Sequence, residues 1–242
     1  MLAGIFVGYN TIEVAKSSTT AFGVQFEDVA DPDAGIPIKS IVKVAAPYGA
    51  QIAGNVSDQI WTYTGADWVK YFYYTPNARK PTEGYWCLST DSSHQELPDT
   101  LVLKPGQSFF FVRSNNSATS ITLAGGVAQL TKTLSYDVAK SSTTAMAWPW
   151  PEAMNIKDFT KYNSAPYGAQ IAGNVSDQIW TYTGAEWVKY FYYTPNVRKP
   201  TEGIWCLSTD STHQETEAEI EAGSAFFFVR SNNSAATINF AR

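Results

Sequence analysis

The chain has no run of basic residues, no apolar stretch of the roughly 20 residues a membrane-crossing helix needs, and almost no sulfur: two cysteines and three methionines in 242 residues. Each absence excludes something. Two cysteines, Cys87 and Cys206, cannot build a disulfide framework. A formal net charge of −5 without a Lys/Arg stripe repels phosphate, so no nucleic-acid partner is expected. The opening Met1–Val7 lacks a basic segment and is too short for a signal peptide. The expectation there is either a protein not exported by that route or a mature form. With one histidine per half, His94 and His213, zinc-type clusters have too few ligands. Phosphate-cradling glycine loops and nucleophile elbows are missing too.

What is present is aromatic. Eight Trp, 14 Tyr and 13 Phe make up 14% of the chain, and with Val, Ile and Thr they favour strands over helices.

The chain also repeats itself. Pro47–Glu96 recurs as Pro166–Glu215, and over those 50 positions only Asp67/Glu186, Ala78/Val197, Tyr85/Ile204 and Ser93/Thr212 differ. Two shorter stretches recur unchanged: Val14–Ala21 as Val138–Ala145, and Phe109–Ala118 as Phe226–Ala235. The offset shifts from 124 to 119 to 117. That places five extra residues near Asp31-Pro32-Asp33-Ala34-Gly35 and a two-residue deletion between Glu215 and Phe226. Packed strands do not absorb such changes, so both sites are expected to be loops.

Within the first copy, strands are expected at Tyr9–Ala15, Phe22–Phe26, Ile36–Val44, Gln59–Tyr63, Trp68–Tyr74, Gly84–Ser89, Thr100–Leu103, Ser108–Arg113 and Thr119–Leu123. Thr64-Gly65-Ala66-Asp67 reads as a hairpin loop. Short strands separated by turn chemistry describe an all-β protein of two tandem homologous β-sandwich, jelly-roll-like domains, residues 1–125 and 126–242, divided near Gly125-Gly126.

Gly8-Tyr9-Asn10-Thr11-Ile12-Glu13-Val14, the aromatic hairpin, and the closing Lys104-Pro105-Gly106 turn with Phe109-Phe110-Phe111-Val112-Arg113 resemble units of secreted bacterial tandem β-repeat proteins. The resemblance covers both copies. It is weaker at the start of the second, where Gln129–Tyr136 lacks the Gly-Tyr pair. It implies an extracellular or cell-surface location and no particular activity.

Several residues invite chemistry. His94 and His213 lie near Asp91/Asp210 and Glu96/Glu215, and a neutral imidazole can share a cation with a carboxylate; loop composition alone predicts a polar surface loop. Cys87 shares a strand face with Tyr85, whose counterpart is Ile204, so a buried thiol is expected rather than a nucleophile. Glu27, Asp28, Asp31 and Asp33 could offer oxygens to calcium, but their spacing is not that of an EF-hand loop. Asn55, Asn115 and their counterparts Asn174 and Asn232 open glycosylation triplets. No catalytic, cofactor-binding or metal-binding residue is assigned, and no cofactor is expected.

The most distinctive set is the hairpin: Trp61, Tyr63, Trp68, Tyr71 and Tyr73, with Trp180, Tyr182, Trp187, Tyr190 and Tyr192 in the second copy. Exposed, it is a contact surface for another subunit or a stacking platform for sugars. If one face packs the core and the other lies under a loop, it is structural. The expected function is therefore that of a non-enzymatic, self-assembling filament or layer subunit whose partners are copies of itself. Apolar strands at Leu2–Tyr9 and Ala236–Ala241 would serve as pairing edges. A tandem carbohydrate-binding or adhesion module is the alternative, and it requires exposed, coplanar indoles in a groove.

Overall fold

A computed structural model describes residues 7–31, 34–41, 43–54, 56–114, 117–127, 133–172, 175–231 and 234–241. It is all-β. The strands of the first copy fall in one compact unit and those of the second copy in another.

Among the described residues the first copy has eleven strands: β1 Val7–Val14, β2 Thr19–Gly23, β3 Phe26–Glu27, β4 Ile36–Pro37, β5 Lys43–Val44, β6 Gln59–Tyr63, β7 Trp68–Tyr74, β8 Tyr85–Leu88, β9 Val102–Leu103, β10 Ser108–Val112 and β11 Thr119–Val127. They pair as a nested antiparallel ribbon: β1 with β11, β2 with β10, β4 with β9. The middle of the chain adds the β6-β7-β8 meander. The result is a five-stranded sheet in the order β2-β10-β6-β7-β8, a four-stranded sheet around β11, and the small β4-β9 pair.

Strand alternation explains the core. Phe22, Ile60, Tyr71, Tyr73, Trp86, Phe109 and Phe111 point inward from the five-stranded sheet. They form one apolar cluster with Val14, Ile121 and Leu123 of the other sheet. Phe22 and Phe109 face each other across β2 and β10 and stack with ring centroids 5.2 Å apart.

The second copy repeats the ribbon with β12 Leu134–Val138, β13 Thr143–Ala147, β14 Met154–Asn155, β15 Gln178–Tyr182, β16 Trp187–Tyr193, β17 Ile204–Leu207, β18 Glu219–Ile220, β19 Ala225–Val229 and β20 Ala236–Phe240. Its five-stranded sheet, β13-β19-β15-β16-β17, matches that of the first copy; among the described residues β12 pairs with β20 and β14 with β18, in place of a four-stranded sheet and the β4-β9 pair. A 3-10 helix, Ile156–Lys161, contributes a fully buried Phe159 to the core. That ring lies 5.3–6.4 Å from those of Trp205, Phe226, Phe228 and Phe240.

Two expected strands are divided. Of Phe22–Phe26, Phe22 and Gly23 end β2 and Phe26 opens β3, with Val24 and Gln25 between them. Ile36–Val44 is not one strand either: β4 ends at Pro37, beyond which the Ile38 N–H bonds the Leu101 carbonyl at 2.9 Å. A helical turn, Ile38–Ile41, follows before β5. β11 runs through the Gly125-Gly126 pair, near which the two copies were divided, to Val127 and pairs there with β1 and β3. Glycine is needed at 125 because a Cβ would stand 2.8 Å from the Glu27 carbonyl oxygen and from side-chain atoms of Phe26 and Ile36.

Candidate functional site

Strands β6 and β7 form the expected hairpin, closing at Tyr63↔Trp68 over the four-residue loop. Period-two alternation then sorts its aromatics. Tyr71, Tyr73, Tyr190 and Tyr192 point into the cores and are buried, so these four leave the accessible set. Tyr73 is further held by Gly84: its hydroxyl donates to the Gly84 carbonyl at 2.8 Å and accepts from the Gly84 N–H at 3.1 Å.

Trp61, Tyr63 and Trp68 lie on the outer face with Lys70, Phe72 and Tyr74. The register sets Phe110, Trp61 and Lys70 in one cross-strand row. The Lys70 ammonium sits 4.1 Å above the Trp61 ring, and Trp61 Nε1 donates to Gln59 Oε1 at 2.8 Å. Trp68 packs 5.1 Å from Tyr63 and 5.2 Å from Phe110, keeping 39% of its surface exposed. The second copy reproduces the cluster. Lys189 is 4.0 Å over Trp180, Trp180 bonds Gln178 at 2.8 Å, and Trp187, 36% exposed, rests against Tyr182 and Phe227.

The other half of each outer face is covered. Asp91 organises the loop after β8 by accepting from the Ser93 hydroxyl at 2.6 Å and from the N–H groups of Ser93 and Gln95. This turns His94 to a φ of +50° and lays its imidazole flat on Tyr74, centroids 4.5 Å apart, with an edge on Phe72. Asp210 and His213 do the same over Tyr193 and Phe191. Both histidines are thus aromatic covers within a polar surface loop. Beneath the covers lie Cys87 and Cys206, free and fully buried. Burial pushes their thiols up, to about 12 and about 11. A thiol so rarely ionised near neutral pH is a poor nucleophile.

Asp28 Oδ1 accepts from the N–H groups of Ala30 and Asp31 and so closes a turn, while Asp33 lies outside the described residues. The glycosylation-triplet asparagines also lie outside them. No group of three His, Cys, Asp or Glu among the described residues is placed to hold a metal.

A buried ion pair escaped the sequence reading. Arg113 and Asp58 are both almost wholly enclosed and bonded to each other. Arg113 also donates to the carbonyls of Ala46 at 2.9 Å and Ser117 at 3.0 Å. Arg230 and Asp177 repeat this with Ala165 and Ser234. The signal was available: each charge abuts an apolar strand and stands unchanged in both copies. Burial raises both carboxyls above the ordinary range, against the pull of the guanidinium and of the Tyr48 or Tyr167 N–H.

Comparison with protein-family models, with curated proteins and with solved structures finds no match to the chain.

Proposed function

We propose that the protein works by contact rather than by chemistry, as a self-associating subunit of a filament or layer at the cell surface or outside the cell. One observation carries this reading: both copies present the same Trp-Tyr-Lys cluster around a part-exposed indole, on a sheet whose inner face is already filled by the core. Trp and Tyr dominate the energetics of protein interfaces. Two equivalent patches on one chain let each molecule engage two others, and contacts of that kind propagate. We read each copy as a jelly-roll-like sandwich. The location outside the cell follows from the resemblance to secreted tandem β-repeat units.

Strand pairing supplies a second element. β1 lies at the end of its sheet and carries Tyr9 at 79% exposure, as a strand open to augmentation would. Of the expected edge at Leu2–Tyr9, residues 2–6 lie outside the described ones. The other expected edge, Ala236–Ala241, is not open. β20 has β12 on one side, and on the other Asn163 bridges Ile238 while Asn239 N donates to Tyr162 O at 2.8 Å.

The carbohydrate-binding reading asks for coplanar exposed indoles. Trp61 and Trp68 are inclined by 63°, and Lys70 covers one face of Trp61, so the cluster favours an irregular protein surface over a sugar ring.

Sedimentation velocity over a rising concentration series, with negative-stain imaging of the same samples, tests the proposal. Association that grows with concentration and weakens roughly thirty-fold in a Trp68→Ala/Trp187→Ala variant is expected. A chain that stays monomeric at high concentration defeats it.

A further inference from the structure

Three stretches retained in both copies meet in one place. In the second copy Ser141, Ser142 and Thr143 from the first stretch, Ser176 from the long block, and Arg230 and Ser231 from the closing stretch line a pocket of about 350 Å³. Small-molecule sites begin at about 300 Å³. Between these stretches the copies diverge, Phe22–Ala46 having little in common with Met146–Ala165.

The walls are unusual in what they leave unused. Ser176 and Ser231 are 0% and 3% exposed, yet neither hydroxyl has a partner among the described residues. An enclosed hydroxyl without a partner is costly, so native structures rarely keep one. Neighbouring polar groups are occupied: the Ser142 hydroxyl donates to Ala139 O at 2.6 Å, and Ser141 N donates to Ser231 O at 3.1 Å. Ser141 holds a φ of +53°, a left-handed conformation that side chains disfavour, and its counterpart Ser17 holds +48°. Ser57 and Ser114, the counterparts of Ser176 and Ser231, also have hydroxyls that are buried and unpartnered among the described residues.

Electrostatics narrows the ligand. Arg230 is the one charged side chain among the described residues that line the pocket, and Asp177 neutralises it. An anion would leave water without meeting an unpaired cation. A hydroxyl group both donates and accepts, as the serine hydroxyls do. We infer that this pocket binds a small, neutral, hydroxyl-rich molecule, a monosaccharide or polyol unit, held by Ser176 and Ser231. The site is separate from the aromatic cluster, and the inference does not depend on self-association.

The test is an NMR titration of the ¹⁵N-labelled full chain with glucose, galactose and glycerol, and with inorganic phosphate in a separate arm. Saturable shifts at the amides of Ser141, Ser176 and Ser231 are expected with at least one neutral probe. Ser176→Ala and Ser231→Ala should each weaken them about ten-fold, the same spectra showing that both variants are folded. A disaccharide of the best hexose separates two sources: equal affinity marks the terminal unit of a glycan, and loss marks a free sugar. Phosphate binding more tightly than every neutral probe, no saturable shift with any of them, or alanine variants that bind like the parent would each overturn the inference.

Discussion

At the scale of single residues the buried Arg–Asp pairs are where one substitution strands a charge. An enclosed ion pair is weak evidence of net stabilisation, but breaking one from a single side leaves a buried charge without its counter-charge, at about 3–5 kcal/mol. Arg230→Met should therefore destabilise the second copy by about that much in denaturant titrations at neutral pH. The sign of its pH dependence follows from the carboxyl. Burial already raises Asp177, and removing the guanidinium raises it further. A carboxyl whose folded pKa lies above the unfolded value of about 3.9 takes up a proton on folding. The deficit of the variant should thus be largest above the raised pKa and shrink as pH falls towards 4. A deficit unchanged between pH 7 and pH 4 would show that lost packing, not stranded charge, is the cause.

At the scale of elements the loop after β8 behaves as a cover. Its order rests on Asp91, whose carboxyl is held below the usual range by the Ser93 hydroxyl and by the N–H groups of Gln95 and Ser93. With a folded pKa below the unfolded one, the contribution of this carboxylate is complete above about pH 4 and is lost as pH falls through the depressed value. Acidification should release the cover and open Cys87 and Cys206 to a dipyridyl disulfide reagent, which reacts with thiols in acid. His94→Ala with His213→Ala should do so at neutral pH. Thiols that stay unreactive in both cases would mean that Cys87 is sealed by the sheet alone. The hairpin, its four-residue loop, the two closing strands and the buried thiols were all legible in the sequence, because alternation and turn chemistry are local; the nested pairing of the outer strands was not, since it joins residues about a hundred apart. The stacking of His94 on Tyr74 was not, since a left-handed histidine is set by hydrogen bonds to Asp91 that composition does not encode. Nor was the helical turn after Pro37, which starts at Ile38 although the Ile38 N–H still bonds the Leu101 carbonyl in the β4-β9 register. Alternation did not reveal which half of the outer face is covered, because both halves are aromatic.

At the scale of the whole molecule the repeat raises the question of whether its two halves are energetically separate. Each copy has its own five-stranded sheet and its own buried aromatics, Trp86 with Phe111 in one and Trp205 with Phe159 in the other. Among the described residues the strands outside those sheets differ: a four-stranded sheet and the β4-β9 pair in the first copy, the β12-β20 and β14-β18 pairs with a 3-10 helix in the second. Near-identical sheets with unlike surroundings should have similar but not equal stabilities. A change confined to one core should then move one transition and leave the other in place. Arg113→Met is the appropriate change, because its partners Asp58, Ala46 and Ser117 all belong to the first copy. For a unit of this size a loss of about 3–5 kcal/mol corresponds to a fall in Tm of roughly 10–20 °C. Calorimetry of the intact variant should therefore show the unfolding endotherm split in two, with the upper component where the second copy unfolds in the parent. A single endotherm displaced as a whole would mean that the two copies share one cooperative core, and the picture of two linked contact modules would fail with it.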